Sequence, residues 1–294
     1  MISSRRLKTA LATAALSVLM AMSVTGCREA ESEPPAPVPG PATESPASQV
    51  PEPAAKSTSV LVYLVDGEKL TVARREISAT PGVAAAAMDE LLTGVAERES
   101  ELGFATEIPE GTVLLGLQIE EGVATVDLSG EFQSGGGSTS MLLRVAQVVY
   151  TLTQFDTVDT VSFMIDGVPA EAIGGEGVMV DPPVGREDFT DNVLPLIFVE
   201  SPAPWDAVEP PLRVTGVSNT FEATLLLELV DSGGRIIFEG MATATAGSGT
   251  WGTFDVVIDY EAELEGSGSL IVFEESAEDG SRINLKEIPI DLKR

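Results

Sequence analysis

Seven short apolar segments follow one another in the last third of this 294-residue chain, and they constrain its fold more than any other feature. Turns rich in glycine, proline and serine separate the segments, and no stretch with a helical period lies between them. Short strands with turns at regular spacing are typical of an antiparallel β-sandwich. The predicted strands are Leu194–Val199, Leu212–Val217, Ala223–Val230, Ile236–Thr243, Gly252–Ile258, Ser269–Phe273 and Arg282–Ile290.

An earlier folded domain alternates strand-like and helix-like patterns. Two hairpins are predicted, one turning at Asp66-Gly67 and the other at Glu121-Gly122, because glycine accepts the positive φ of a tight turn. Apolar residues three and four positions apart predict two helices, one ending near Gly94 and one over residues 141–152. A closing strand covers "DTVSFMIDG". The order ββαββαβ predicts an α+β domain whose sheet carries two helices on one face.

The N-terminus has the pattern of an export signal. Arg5, Arg6 and Lys8 precede an apolar stretch, Ala10–Met22, that is short for a membrane span. The sequence "VTGC" then matches the bacterial lipobox, so residues 1–26 are predicted to be a lipoprotein signal peptide and Cys27 to carry the lipid, palmitate included. Two alternatives stay open: an ordinary signal peptide with an incidental cysteine, and a single anchor helix. The export route, general or twin-arginine, also stays open.

Residues 27–58 are rich in proline, glutamate, serine and alanine, and such a composition cannot bury a core. This segment is predicted to be a disordered tether between the lipid and the folded domains. The domain boundaries that follow are 59–180 for the α+β domain, 181–192 for a linker and 193–292 for the β-sandwich. The chain is therefore expected to be exported and lipid-anchored on the outer face of the bacterial cell membrane.

The net charge and the composition argue against several classes of function. The formal net charge of −29 argues against binding to nucleic acid, whose phosphates repel such a surface. The chain has no histidine and one cysteine, which removes most general-base and nucleophile schemes. We therefore expect no enzyme activity, no cofactor and no metal site. Acidic clusters such as Glu187, Asp188 and Asp191 lack the spacing of an EF-hand, which favours solvated carboxylates over a calcium site.

Four segments of the first folded domain stand in a distinctive order: "VYLVDGEKL", "MDELLTG", "IPEGTVLLGLQIEEGVATVDLSGEF" and "RVAQVVYTLTQFDTVDTVSFMIDG". In these segments the chain resembles the GerMN domain, first known from spore-germination proteins. The C-terminal domain contains "FVESPAPWDAVEPPLRVTGVSNTFEATLLLELVDSGGRIIFEG", "WGTFDVVIDY", "GSLIVFEESAEDGS" and "EIPIDL". Here it resembles Gmad2, an immunoglobulin-like domain that often follows GerMN.

The resemblance implies a non-catalytic protein-interaction module in envelope or spore-associated assembly or signalling, with a protein partner in the envelope. Two alternatives remain: a module that binds a cation or a cell-wall ligand, and an accessory to a cell-wall enzyme. A small-molecule ligand stays unknown.

Three side chains are candidates for partner contact. Trp205 lies in a proline-rich turn, where it either contacts a partner or packs over the end of its domain. Gln147 and Thr151 lie one helical turn apart and either face a polar groove or belong to ordinary helix-surface chemistry. Phe221 and Trp251 are expected in the core of the sandwich.

Overall fold

A computed structural model describes residues 57–175, 177–261 and 265–294. The signal peptide, the lipidated Cys27 and nearly all of the tether lie outside the described residues, and the predicted domain boundaries stay predictions. The first part of the described chain contains β1 (Ser57–Asp66), β2 (Lys69–Ser78), α1 (Val83–Leu92), α2 (Glu97–Glu101), β3 (Phe104–Ala105), β4 (Leu114–Glu120), β5 (Val123–Leu128), α3 (Ser138–Leu152), β6 (Thr160–Ile165), β7 (Val168–Pro169), β8 (Ala172–Ile173) and β9 (Val178–Met179).

The predicted α+β class is confirmed, but the strands divide between two main sheets instead of forming one. Strands β1 and β2 form the predicted hairpin and pair along their full length, while β3 pairs only with the end of β1. The other sheet has the order β4-β5-β6-β7. Its β5 and β6 are parallel, and α3 makes the crossover that parallel neighbours need. Helix α3 contacts both β1 and β6, so it lies in the interior of the domain.

This position of α3 corrects both alternatives for Gln147 and Thr151, because neither an accessible groove nor the helix surface holds them. Both side chains are fully buried and bind the backbone of Tyr63 in β1. The Gln147 amide donates to the Tyr63 carbonyl (2.9 Å), and the Tyr63 N–H donates to Thr151 Oγ1 (3.2 Å). The Gln154 amide likewise donates to the Leu61 carbonyl (2.7 Å), and the Leu61 N–H donates to Gln154 Oε1 (2.8 Å). Beyond the short β3, polar side chains of α3 and of the residues just after it thus satisfy the open edge of β1, because buried backbone groups need partners. Neither residue can contact a partner while the domain is folded.

Replacing Gln147 with leucine is expected to lower the free energy of unfolding by about 1–3 kcal/mol, because a buried backbone carbonyl loses its donor. The N–H of Glu107, which donates to Gln147 Oε1 at 2.9 Å, loses its acceptor as well. Urea denaturation measures the difference. Gln118→Leu, on the exposed surface of β4, is the matched control and should stay within about 0.5 kcal/mol. Equal effects of the two substitutions would contradict the edge-covering role of Gln147.

The second part of the chain is the predicted β-sandwich, which is immunoglobulin-like. One sheet has the order β10-β12-β15 and the other β11-β17-β16-β13-β14. The bounds are α4 (Thr190–Val193), β10 (Ile197–Ser201), β11 (Ala207–Val208), β12 (Leu212–Ser218), β13 (Thr224–Val230), β14 (Ile236–Thr243), β15 (Gly252–Ile258), β16 (Gly266–Glu275) and β17 (Arg282–Leu292).

The two aromatic residues expected in the sandwich core lie elsewhere. Phe221 is 56% exposed, because it belongs to a 3-10 turn that precedes β13 and does not share that strand's inward alternation. Trp251 is partly buried against the core that is centred on the first domain, and its Nε1–H donates to Asp191 Oδ1 (2.7 Å). That larger core also includes Phe198 of β10. The apolar interior is therefore continuous across the junction of the two domains. Among the described helices, none has the length and apolar character needed to cross a membrane.

Candidate interaction site at the domain junction

A partly buried polar cluster joins the two domains. Tyr63 of β1 is fully buried, and its hydroxyl donates to the carboxylate of Glu200 in β10. Arg186 donates to the same carboxylate (2.6 Å) and to the Tyr63 oxygen (3.0 Å). Its guanidinium also lies over the rings of Tyr63 and Tyr150, at 5.2 and 4.8 Å from their centres. Burial raises the pKa of the Tyr63 hydroxyl, which keeps the proton on oxygen and available for donation. We call Tyr63, Arg186 and Glu200 the junction cluster.

Nearer the surface, further polar contacts cross the junction. Nε of Arg74 on β2 lies 2.8 and 2.9 Å from the two carboxylate oxygens of Asp206. Nζ of Lys286 on β17 lies 2.8 Å from Asp66 Oδ2 at the end of β1. Each pair joins one residue of the α+β domain to one of the sandwich. Together with the continuous apolar interior, they fix the surfaces that meet at the junction.

Trp205 stands at this surface in an unusual backbone conformation, with φ at +64°. A bulky side chain rarely adopts this region, and the conformation persists only where neighbours hold it. Here the Trp205 N–H donates to the Pro289 carbonyl (2.6 Å), and the Asp206 N–H donates to the Ala203 carbonyl (3.1 Å). The Ala203 N–H donates in return to Asp206 Oδ2 (2.8 Å). The turn thus holds the indole partly exposed, as part of a cleft wall.

The guanidinium of Arg98 lies 4.3 Å from the centre of the Trp205 ring, within the range of a cation–π interaction. Arg98 belongs to α2, and its neighbour Glu99 anchors that short helix. Glu99 is buried, forms an ion pair with Arg75 of β2 and accepts from the Ala96 N–H (2.8 Å). The α+β domain therefore supplies the cation and the sandwich supplies the aromatic ring.

A cleft of about 930 Å³ opens beside this stacked pair. The chain has only 17 lysines and arginines among 294 residues, yet four arginines line this one cleft: Arg74, Arg75, Arg98 and Arg213. Acidic side chains, including Glu97 and Glu209, share the wall with them. An aromatic face beside arginines and carboxylates is the composition of protein-binding hot spots and their polar surroundings. We refer to this feature as the Trp205 cleft.

The candidate residues thus have different locations. Trp205 lies at the cleft, Gln147 and Thr151 lie in the interior, and Cys27 lies outside the described residues. Sequence reasoning missed Arg98, Arg186 and Glu200, whose partners are distant in sequence. A weak signal existed for Arg186, because it is the single cation between Arg144 and Arg213 in a long acidic stretch.

Two family models match the chain. The model described as Germane, for sporulation and spore germination, matches residues 61–171. The model described as Gmad2, an immunoglobulin-like domain of bacterial spore germination, matches residues 196–281. A search of curated proteins returned no match.

Several solved structures are similar to parts of the chain. The first GerMN domain of the sporulation protein GerM from Bacillus subtilis is 23% identical, over 45% of this chain and 99% of that one, with a TM-score of 0.36. The tandem GerMN domains of the same protein are 17% identical, over 70% and 62%, with a TM-score of 0.38. A candidate lipoprotein from Clostridium perfringens is 20% identical, over 47% and 93%, with a TM-score of 0.35.

Proposed function

Because this chain carries a Germane (GerMN-type) domain followed by an immunoglobulin-like Gmad2 domain, we propose that it is a lipid-anchored interaction module on the outer face of the cell membrane. In this proposal it has no catalytic role and contacts a protein of the envelope or of a spore-associated assembly. The lipobox cysteine Cys27 provides the anchor, and residues 27–58 provide the length that separates the folded domains from the membrane. The Trp205 cleft is the surface that meets the partner.

The observation that carries this proposal is the presentation of Trp205. Its positive φ is conformationally costly, and three hydrogen bonds of the turn hold it in place. The result is a partly exposed indole with an arginine stacked on it. Tryptophan and arginine are among the residues most enriched in interface hot spots, and packing alone does not require an aromatic side chain at a partly exposed, strained position.

A photo-cross-linking amino acid in place of Glu97, an exposed residue of the cleft wall, tests the proposal on intact cells. We expect a discrete cross-linked species that is absent when the same amino acid replaces Glu239, an equally exposed glutamate on β14. Adding Trp205→Ala should weaken binding by about 2 kcal/mol, about thirtyfold, as for a hot-spot residue. The cross-linked species should then disappear.

Circular dichroism and urea denaturation of Trp205→Ala separate lost binding from lost folding. Cross-links from position 239 alone, or cross-links from position 97 that survive Trp205→Ala in a folded protein, would contradict the assignment of the cleft.

A further inference from the structure

A second concave site lies on the α+β domain and shares no lining residue with the Trp205 cleft. It encloses about 580 Å³, a volume typical of ligand pockets. The N-terminal end of α3, strand β9 and the segment leading to α4 form its walls. Its apolar side chains include Met141, Leu142, Met179, Pro183 and Phe189. We call it the Met179 pocket.

The pocket has a fixed floor and an open rim. Met141 and Phe189 are buried and form the floor, whereas Met179 is 61% exposed at the rim. Gly174, at φ +77°, lets the β8–β9 hairpin approach α3, because a Cβ there would lie 2.8 Å from the Met141 sulfur. The hairpin is thus seated directly against the floor. Methionine side chains adapt to differently shaped apolar groups, which suits a recognition pocket.

The negative charge at the rim of the pocket favours a ligand that carries positive charge. Asp181 and Asp188 are the charged residues of the described lining, and both are exposed acids. The whole chain carries a formal net charge of −29. Carboxylates beside an apolar floor favour a bulky apolar group flanked by cations, and they disfavour the acyl chain of an anionic lipid, whose headgroup they repel.

We propose that the Met179 pocket binds a polypeptide segment of a partner protein, in which a large apolar side chain enters between lysine or arginine neighbours. The apolar side chain covers Met179 and Leu142, and the cations face Asp181 and Asp188. This inference goes beyond the proposed function, because it assigns a separate site with its own ligand chemistry.

A titration of the full chain, labelled with ¹³C-methyl methionine, tests this directly. The probe is the end-blocked peptide SKFKS, with SEFES and SKGKS as matched peptides of reversed charge and of no apolar side chain. We expect SKFKS to shift the Met179 and Met141 methyl signals saturably below about 1 mM and to leave Met241 unchanged. Met241 is the internal control, since it is 68% exposed on β14 and outside the pocket. SEFES and SKGKS should bind at least about tenfold more weakly.

Met179→Asn, which removes apolar surface without adding charge, should weaken SKFKS binding at least about tenfold, whereas Met241→Asn should not change it, and both substitutions are at exposed sites that tolerate change. Trp205→Ala should also leave SKFKS binding unchanged, so failure of this inference is distinguishable from failure of the Trp205 cleft. The inference is overturned if SKFKS gives no saturable shift, if SEFES binds equally well, or if lysophosphatidylglycerol shifts Met179 while SKFKS does not.

Discussion

Arg186→Ala is expected to lower the free energy of unfolding by about 2–3 kcal/mol, because it breaks a partly buried ion pair, with side chains 29% and 26% exposed, and leaves one charge without its partner. The Glu200 carboxylate would then lie against the buried Tyr63 hydroxyl alone. The same substitution removes the guanidinium that packs over Tyr63 and Tyr150. It also removes a bond of 2.8 Å to Thr153 Oγ1. Urea denaturation monitored by circular dichroism measures the loss.

The matched control is Arg213→Ala. Arg213 also pairs with a carboxylate, that of Asp255, at 2.5 Å, but the two side chains are 68% and 51% exposed. Water screens such a pair, so its loss should cost much less than the loss of the Arg186 pair. A double substitution, Arg186→Ala with Glu200→Ala, should recover part of the loss because no orphaned charge remains. If Arg186→Ala costs no more than Arg213→Ala, the junction cluster does not hold the two domains together.

The junction cluster also fixes the two walls of the Trp205 cleft relative to each other. The wall that carries Arg98 belongs to the α+β domain, and the wall that carries Trp205 belongs to the sandwich. Their 4.3 Å contact requires a fixed arrangement of the two domains. Tyr63, Arg186 and Glu200, together with the apolar contact of Tyr63 with Phe198, supply that arrangement from the interior. A variant that loosens the junction should therefore weaken partner binding even though it touches no residue of the cleft.

Much of the fold could be predicted from local pattern alone. The sandwich strands lie close to their predicted ranges, as with Ile236–Thr243 and Gly252–Ile258, because turns and alternation are both local signals. The division into two sheets in the first domain was not predictable in the same way. It depends on Gln147 and Thr151 of α3 and on Gln154 just after it, which replace a neighbouring strand along β1. Contacts between residues so far apart in sequence leave no periodic pattern in it.

The residues of the candidate site also differ in how far local sequence can identify them. Trp205 could be singled out because an aromatic residue in a proline-rich turn is unusual on sequence grounds. Arg98 could not, because it is 107 positions from the ring it covers and lies in an ordinary run of charged residues. An aromatic side chain such as that of Phe221 predicts a core position, whereas the turn geometry before β13 leaves it exposed. Side-chain type thus identifies candidates, and tertiary packing decides which of them reach the surface.

Cys27→Ser is expected to abolish lipid attachment completely, because the thiol accepts the diacylglyceryl group in the proposed lipobox and a hydroxyl is a much weaker nucleophile. Labelling of cells with radioactive palmitate, followed by mass spectrometry of the N-terminal peptide, measures the loss. In the wild-type chain we expect a diacylglycerol-modified peptide that starts at Cys27. Two acyl chains, at about 0.8 kcal/mol per buried CH₂, hold a protein on the membrane stably, whereas a single chain binds reversibly.

Membrane fractionation alone would not be a sufficient measurement for Cys27→Ser. Without lipid attachment the leader can stay uncleaved, and its apolar stretch Ala10–Met22 would keep the chain in the membrane pellet. The mass of the N-terminus separates the two cases, since the unprocessed form retains residues 1–26. Ser32→Ala, five positions after the cysteine, is the matched control and should be labelled like the wild type. An unacylated wild-type Cys27 on a chain recovered from the cytosol would remove the anchor, and with it the extracytoplasmic location on which the proposed interaction depends.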